Sequence, residues 1–100
     1  MMNAEELRTL ANTHEENGDY ESALRLYRRA LLIQEKSVGH DSPEMAPFIY
    51  DLAMINAAVD NDHEAENLFA WLLKVEPSDP SLADEVAMVR KEMQRVLPAA

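Results

Sequence analysis

The sequence predicts an all-α fold, an α-α superhelix of two helix-turn-helix repeats closed by a C-terminal capping helix, and three observations predict it. The first is self-similarity. Leu10-Ala11 recurs 42 residues later as Leu52-Ala53, Ala23 as Ala65, Leu26-Tyr27 as Leu68-Phe69 and Leu31 as Leu73. The second is that no segment alternates apolar and polar residues over strand length. The third is composition: 47% of the chain is apolar and only two of its 100 residues are glycine, which favours a compact helical body over disorder. A helix-turn-helix unit cannot bury its own apolar stripe, so two such units must stack. One hundred residues suit a single domain, with repeat 1 over about 4–39, repeat 2 over about 43–76 and the cap over about 80–97.

Each element carries its own start and stop signals. Asn3 with Glu6 three residues on forms a reciprocal N-cap, and Leu7, Leu10, Ala11 and His14 then share a helical face, so the first helix spans about Asn3 to Asn17. Gly18 supplies the left-handed residue that ends it. Asp19 opens the second helix, whose face reads Ala23, Leu24, Tyr27, Ala30, Leu31 and Gln34 before Gly39 closes it. Ser42 caps a third helix from Pro43 to about Val59, proline being best tolerated at the first helical position. Pro47 lies inside that helix, removes a backbone bond and crowds the carbonyl four residues earlier, which predicts a kinked or loosely wound first turn. Asp60-Asn61-Asp62 is the next turn. Ala65, Leu68, Phe69, Leu72 and Leu73 stripe a fourth helix that stops before Pro77. Leu82, Val86, Val89, Met93 and Val96 stripe a fifth, with its polar side outward as the end of a stack requires.

Charge and composition exclude several functions. Nineteen acidic against nine basic side chains give a net charge of −10, which repels nucleic acid and anionic lipid. Without cysteine there is no disulfide, thiolate metal site or cysteine nucleophile. The start lacks a basic region followed by an apolar run, and no segment is long enough to cross a bilayer, so a soluble cytoplasmic protein is expected. His14, His40 and His63 have no companion at metal-ligand spacing, and His14 is expected to line the helix pairing. The acidic pairs Glu5-Glu6, Glu15-Glu16 and Asp84-Glu85 diverge on their helices as solvated faces do. No phosphate loop or nucleophile elbow is present. The chain is expected to be no enzyme and to carry no cofactor or metal.

The repeated residues resemble the tetratricopeptide repeat, with Ala11, Ala23 and Ala30 at its small crossing positions and Leu7, Leu10 and Tyr27 at large ones. In the second repeat Ala53, Ala65, Ile49, Leu52, Phe69 and Pro77 match, whereas Leu72 replaces the usual alanine and Asp60 the turn glycine. The 42-residue period, the run Ala30 to Glu35 and the linker Gly39-His40-Asp41-Ser42-Pro43 look like the kinesin light chain variety.

That resemblance implies a protein-interaction module whose first helices line a concave groove. Position by position it selects Arg8, Asn12, Glu15 and Glu16, then Tyr50, Asp51, Met54 and Ala57, and from the last helix Ser81, Asp84, Glu85, Met88 and Lys91. Some members clamp a peptide carboxylate with basic residues and asparagines. Arg8 and Asn12 fit half of that clamp, but Asp51, Ser81 and Glu85 occupy the rest, and two carboxylates there repel such a ligand. The expected ligand is a protein segment with apolar anchors for Tyr50 and Met54 and basic charge for the acids. Packing of Tyr50 and Met54 under the last helix is the competing reading. Trp71 stands where repeat 1 has Arg29, so it is expected at least partly outside, either as an interface anchor for a homodimer or second partner or packed under the neighbouring loop.

Overall fold

The Asn3 side chain accepts the Glu6 amide at 2.8 Å while the Glu6 carboxylate accepts the Asn3 amide at 3.0 Å, so the predicted capping box opens helix α1, Ala4–Glu16. In this computed structural model the described residues are 1–75 and Lys91. Gly18 follows α1 with φ +80°, a value glycine adopts without a side-chain clash. The Asp19 carboxylate then accepts the Ser22 amide and starts α2, Tyr20–Val38, which ends at Gly39. Helix α4, Asp62–Lys74, stops short of Pro77 as expected.

The third helix departs from its expected start. Ser42 does cap, its hydroxyl accepting the Glu44 amide at 3.1 Å, but Pro43–Met45 is a 3₁₀ turn that leads into α3, Ala46–Ala58. Pro47 is the cause. It has no N–H for the Pro43 carbonyl four residues back, and the Ala46 amide takes that carbonyl in the tighter 3₁₀ bond instead.

Alanine sets how closely the helices approach. Ala11, Ala23, Ala30, Ala53 and Ala65 are all fully buried, so the backbones of α1 and α2, and of α3 and α4, meet with little between them. Leu7, Tyr27, Ile49 and Phe69 fill the space around those crossings, each stabilising the fold by about 1.5–3 kcal/mol when fully buried. Helix α2 packs against α3 as well as α1, which joins the two units into one stack. Helix α3 is therefore enclosed on more than one side, and Phe48, Ile49, Leu52, Ala53 and Ile55, spread around its circumference, are buried.

Two expectations about the first unit change. Leu10, placed on the buried face by periodicity, is 36% exposed, whereas its equivalent Leu52 is 3% exposed behind α2. His14 is half-exposed at the end of α1 and reaches the turn: its Nδ1 lies 3.2 Å from Asp19, whose amide donates to the His14 carbonyl at 2.9 Å. Asn56 repeats this arrangement at the end of α3. Its amide donates to the Leu52 carbonyl, its side-chain oxygen accepts from Asn61, and its carbonyl accepts the Asn61 amide, each at 2.8 Å. Asn56 is fully buried with its polar groups satisfied, which lets the second turn close with Asp60 at φ +62° where the first has Gly18. The fifth helix lies outside the described residues apart from Lys91, which is helical and exposed.

Candidate peptide-binding face

Residues one turn apart on α1 and the facing residue of α3 form one groove. Glu5, Arg8, Thr9 and Asn12 of α1, Tyr27 of α2 and Asp51 of α3 line a concavity of about 300 Å³. Helical spacing of four residues puts Arg8 and Asn12 on one line of α1, and the α2 bridge between the repeats brings Asp51 beside them.

Arg8 organises the groove. Its Nε donates to the Asp51 carboxylate, a second guanidinium nitrogen lies 3.7 Å from Glu5, and its planar head sits 5.4 Å from the Phe48 ring centroid. Burial pushes the Asp51 carboxyl above the ordinary carboxylate range, and the bond and attraction from Arg8 recover only part of that shift. Burial acts downward on Arg8, but Asp51 and Glu5 together hold its proton more firmly than usual. Asp51 therefore neutralises the cation expected to greet a ligand. Among the described residues lining this groove Arg8 is the one cation, against two carboxylates.

Tyr27 is the residue that sequence reasoning did not assign to the site. Its ring is buried in the core, yet its hydroxyl donates to Glu15 Oε1 at 2.8 Å and so fixes that acid at the groove edge. Burial first, then the bond to Glu15, raises the phenol well above its ordinary value. The available signal was a tyrosine where repeat 2 has Phe69. Glu16 is exposed and accepts from Asn12 Nδ2 at 2.9 Å.

The structure thus brings Arg8, Asn12, Asp51, Glu15 and Glu16 together. Tyr50 and Met54 do not line that groove and lie half-buried against the core from α3. Asp84 and Met88 fall outside the described residues, and Lys91 is exposed.

Trp71 is half-buried and held by the loop between α2 and α3. Its Nε1 donates to the His40 carbonyl at 3.1 Å, and the two rings stack with centroids 4.3 Å apart and planes 15° from parallel. His40 also lies 2.6 Å from Glu35. No group of three or more histidine or acidic side chains converges to hold a metal ion among the described residues, and no described helix is long and apolar enough to cross a membrane.

A protein-family model described as tetratricopeptide repeat matches residues 3–75. No curated protein matches the chain.

Proposed function

The chain belongs to the tetratricopeptide repeat family, whose repeats are generally non-enzymatic modules for protein-protein interaction, and from that premise we propose that it is a non-catalytic adaptor. In this reading its inner face binds a peptide or protein segment with basic charge and apolar anchors. One observation carries the charge preference: Asp51 and Glu5 already occupy Arg8, which leaves Glu15 and Glu16 as surplus acid along the same helix. A basic side chain gains attraction there, and an acidic one meets repulsion. Tyr50 and Met54, half-exposed on α3, supply the apolar contact, and the ligand contacts read from the sequence for Asp84, Met88 and Lys91 belong to the same proposal.

The finer family reading is the kinesin light chain variety, in which the second helix of a repeat is the longer, supported in repeat 1 by the 19-residue α2 against 13 residues in α1 and by the Gly39 to Pro43 linker. One domain over 1–100 and a cytoplasmic location, for which the absence of cysteine is suitable, complete the proposal.

The test is fluorescence anisotropy with a labelled arginine- and leucine-rich peptide of about ten residues against an acidic counterpart. Binding of the basic peptide alone, weakened about fivefold by Glu15→Gln with Glu16→Gln and by raised salt, is expected. Equal affinity for both peptides, or indifference to those substitutions, overturns it. Self-association is the second reading, favoured by Leu32, which is 55% exposed beside Trp71. Sedimentation that shifts with concentration and loses that shift in Leu32→Ser would support it.

A further inference from the structure

Laid on each other 42 positions apart, the two repeats differ in how deeply two pairs of equivalent leucines lie. Leu52 and Leu68 are 3% and 5% exposed, while Leu10 is 36% exposed and Leu26 is half-buried. Helix α2 makes the difference. At the joint between repeats, Leu52, Glu64, Leu68 and Trp71 share a groove of about 380 Å³ with Arg28, Leu31 and Leu32 of α2. On the opposite side of repeat 1 a groove of about 340 Å³ is lined by Leu10, His14, Ser22, Arg25, Leu26 and Arg29. Leu10, Ser22, Leu26 and Arg29 are the equivalents of Leu52, Glu64, Leu68 and Trp71, and Arg25 is that of Asn67, which also lines the joint. The end groove is therefore a second copy of the joint, and no described helix lies against it.

Its charge is reversed. At the joint the receiving wall offers Glu64, and the arriving helix brings Arg28 one turn before Leu31 and Leu32. At the end face Ser22 replaces that acid while Arg25 and Arg29 supply two cations. Among the described residues Arg25 meets only the exposed Glu21, at 3.6 Å, and His14 is held by Asp19. Arg29 has no carboxylate within ion-pair distance among the described residues. A helix seated here needs acid where α2 carries Arg28.

We infer that the outer face of repeat 1 docks an amphipathic helix of another protein, laid as α2 lies on repeat 2, with two adjacent leucine-type anchors and a carboxylate three residues before them. A second copy does not suit it. Pairing of the face with itself gathers four arginines, and both Leu-Leu pairs of this chain lack the acid, Leu31-Leu32 following Arg28 and Leu72-Leu73 following Phe69. The site is separate from the inner face, and its ligand carries the opposite charge.

The probe is a stapled helix of about 18 residues, alanine- and glutamine-based, carrying one Glu-x-x-Leu-Leu group, compared by anisotropy with the same helix bearing lysine for glutamate. The wild-type chain should bind the glutamate helix about tenfold more tightly, and the Arg25→Glu, Arg29→Glu double variant should reverse the preference. Both arginines are exposed, and circular dichroism checks that the variant stays folded. A saturating basic peptide on the inner face should not displace the probe. Equal binding of the two helices, an unchanged preference in the double variant, or dimerisation through this face in sedimentation overturns the inference.

Discussion

Tyr27→Phe removes one oxygen from a buried ring, and its effect should change sign with pH. The hydroxyl donates to Glu15 at 2.8 Å, and the ring is only 4% exposed. A hydrogen bond to a charged acceptor contributes about 1.5–3 kcal/mol, but Glu15 is half-exposed and regains water when the bond is lost, so a net loss of about 1 kcal/mol at neutral pH is expected. In alkali the balance shifts. The unfolded phenol ionises near its ordinary value of 10.0, while burial and Glu15 keep the folded one protonated. The unfolded state then binds fewer protons than the folded one, and wild-type stability falls by about 1.4 kcal/mol for each further pH unit. The phenylalanine variant has no such dependence, so the two stability curves should cross at about pH 11. Urea unfolding of both proteins, followed by circular dichroism from about pH 7 to about pH 11.5, measures the crossing. Parallel curves across that range would refute the reasoning, because they would mean that Tyr27 ionises as readily folded as unfolded.

Other perturbations isolate single features. Asp60→Gly should raise stability by about 1 kcal/mol and the melting temperature by several degrees, since Asp60 holds φ +62°, whereas Gly18→Ala should lower both although a Cβ there meets nothing within 4 Å. Calorimetry reads both changes. Asn56→Ala should cost about 2 kcal/mol in urea unfolding, because it leaves a small cavity and strips Asn61 of its partner. Arg8→Ala should cost about 1 kcal/mol at neutral pH and make stability fall more steeply as pH rises above the ordinary carboxylate value, since Asp51, already raised by burial, then ionises without a partner. Adding Asp51→Asn should remove that pH dependence in the same urea titrations.

Local chemistry made most of the fold readable in advance. Asn3 with Glu6, Asp19 and Ser42 act as caps, and each does so through neighbours two or three residues away, a distance at which sequence specifies geometry. Periodicity placed Leu7, Ala11, Ala23 and Phe69 inside for the same reason. It misplaced Leu10, because a helical stripe records which residues could be covered and leaves open whether a neighbouring helix arrives to cover them. The site was readable only as a set of positions. Arg8 and Asp51 were both assigned to the inner face, one to hold polar groups and one to select cations, yet they neutralise each other across 43 positions of chain. No local rule links them. Tyr27 was hidden for a related reason: its ring obeys the core pattern and only its hydroxyl, at the far end, belongs to the groove.

Deviation from the repeat was accordingly more informative than conformity to it. Positions that match between the units, such as Ala23 with Ala65, describe how a helix pair packs and would read the same in any stack of this kind. Tyr27 against Phe69 adds a hydroxyl that fixes an acid at the inner face. Arg25 and Arg29 against Asn67 and Trp71 exchange a joint shaped for the chain's own helix for a cationic wall. Each difference keeps the backbone and changes the chemistry a partner would meet. Reverting Tyr27 to phenylalanine should therefore weaken inner-face binding of a basic peptide while leaving the end face intact, and the Arg25→Glu, Arg29→Glu pair should do the opposite. If either change altered both bindings alike, the two faces could not be independent sites.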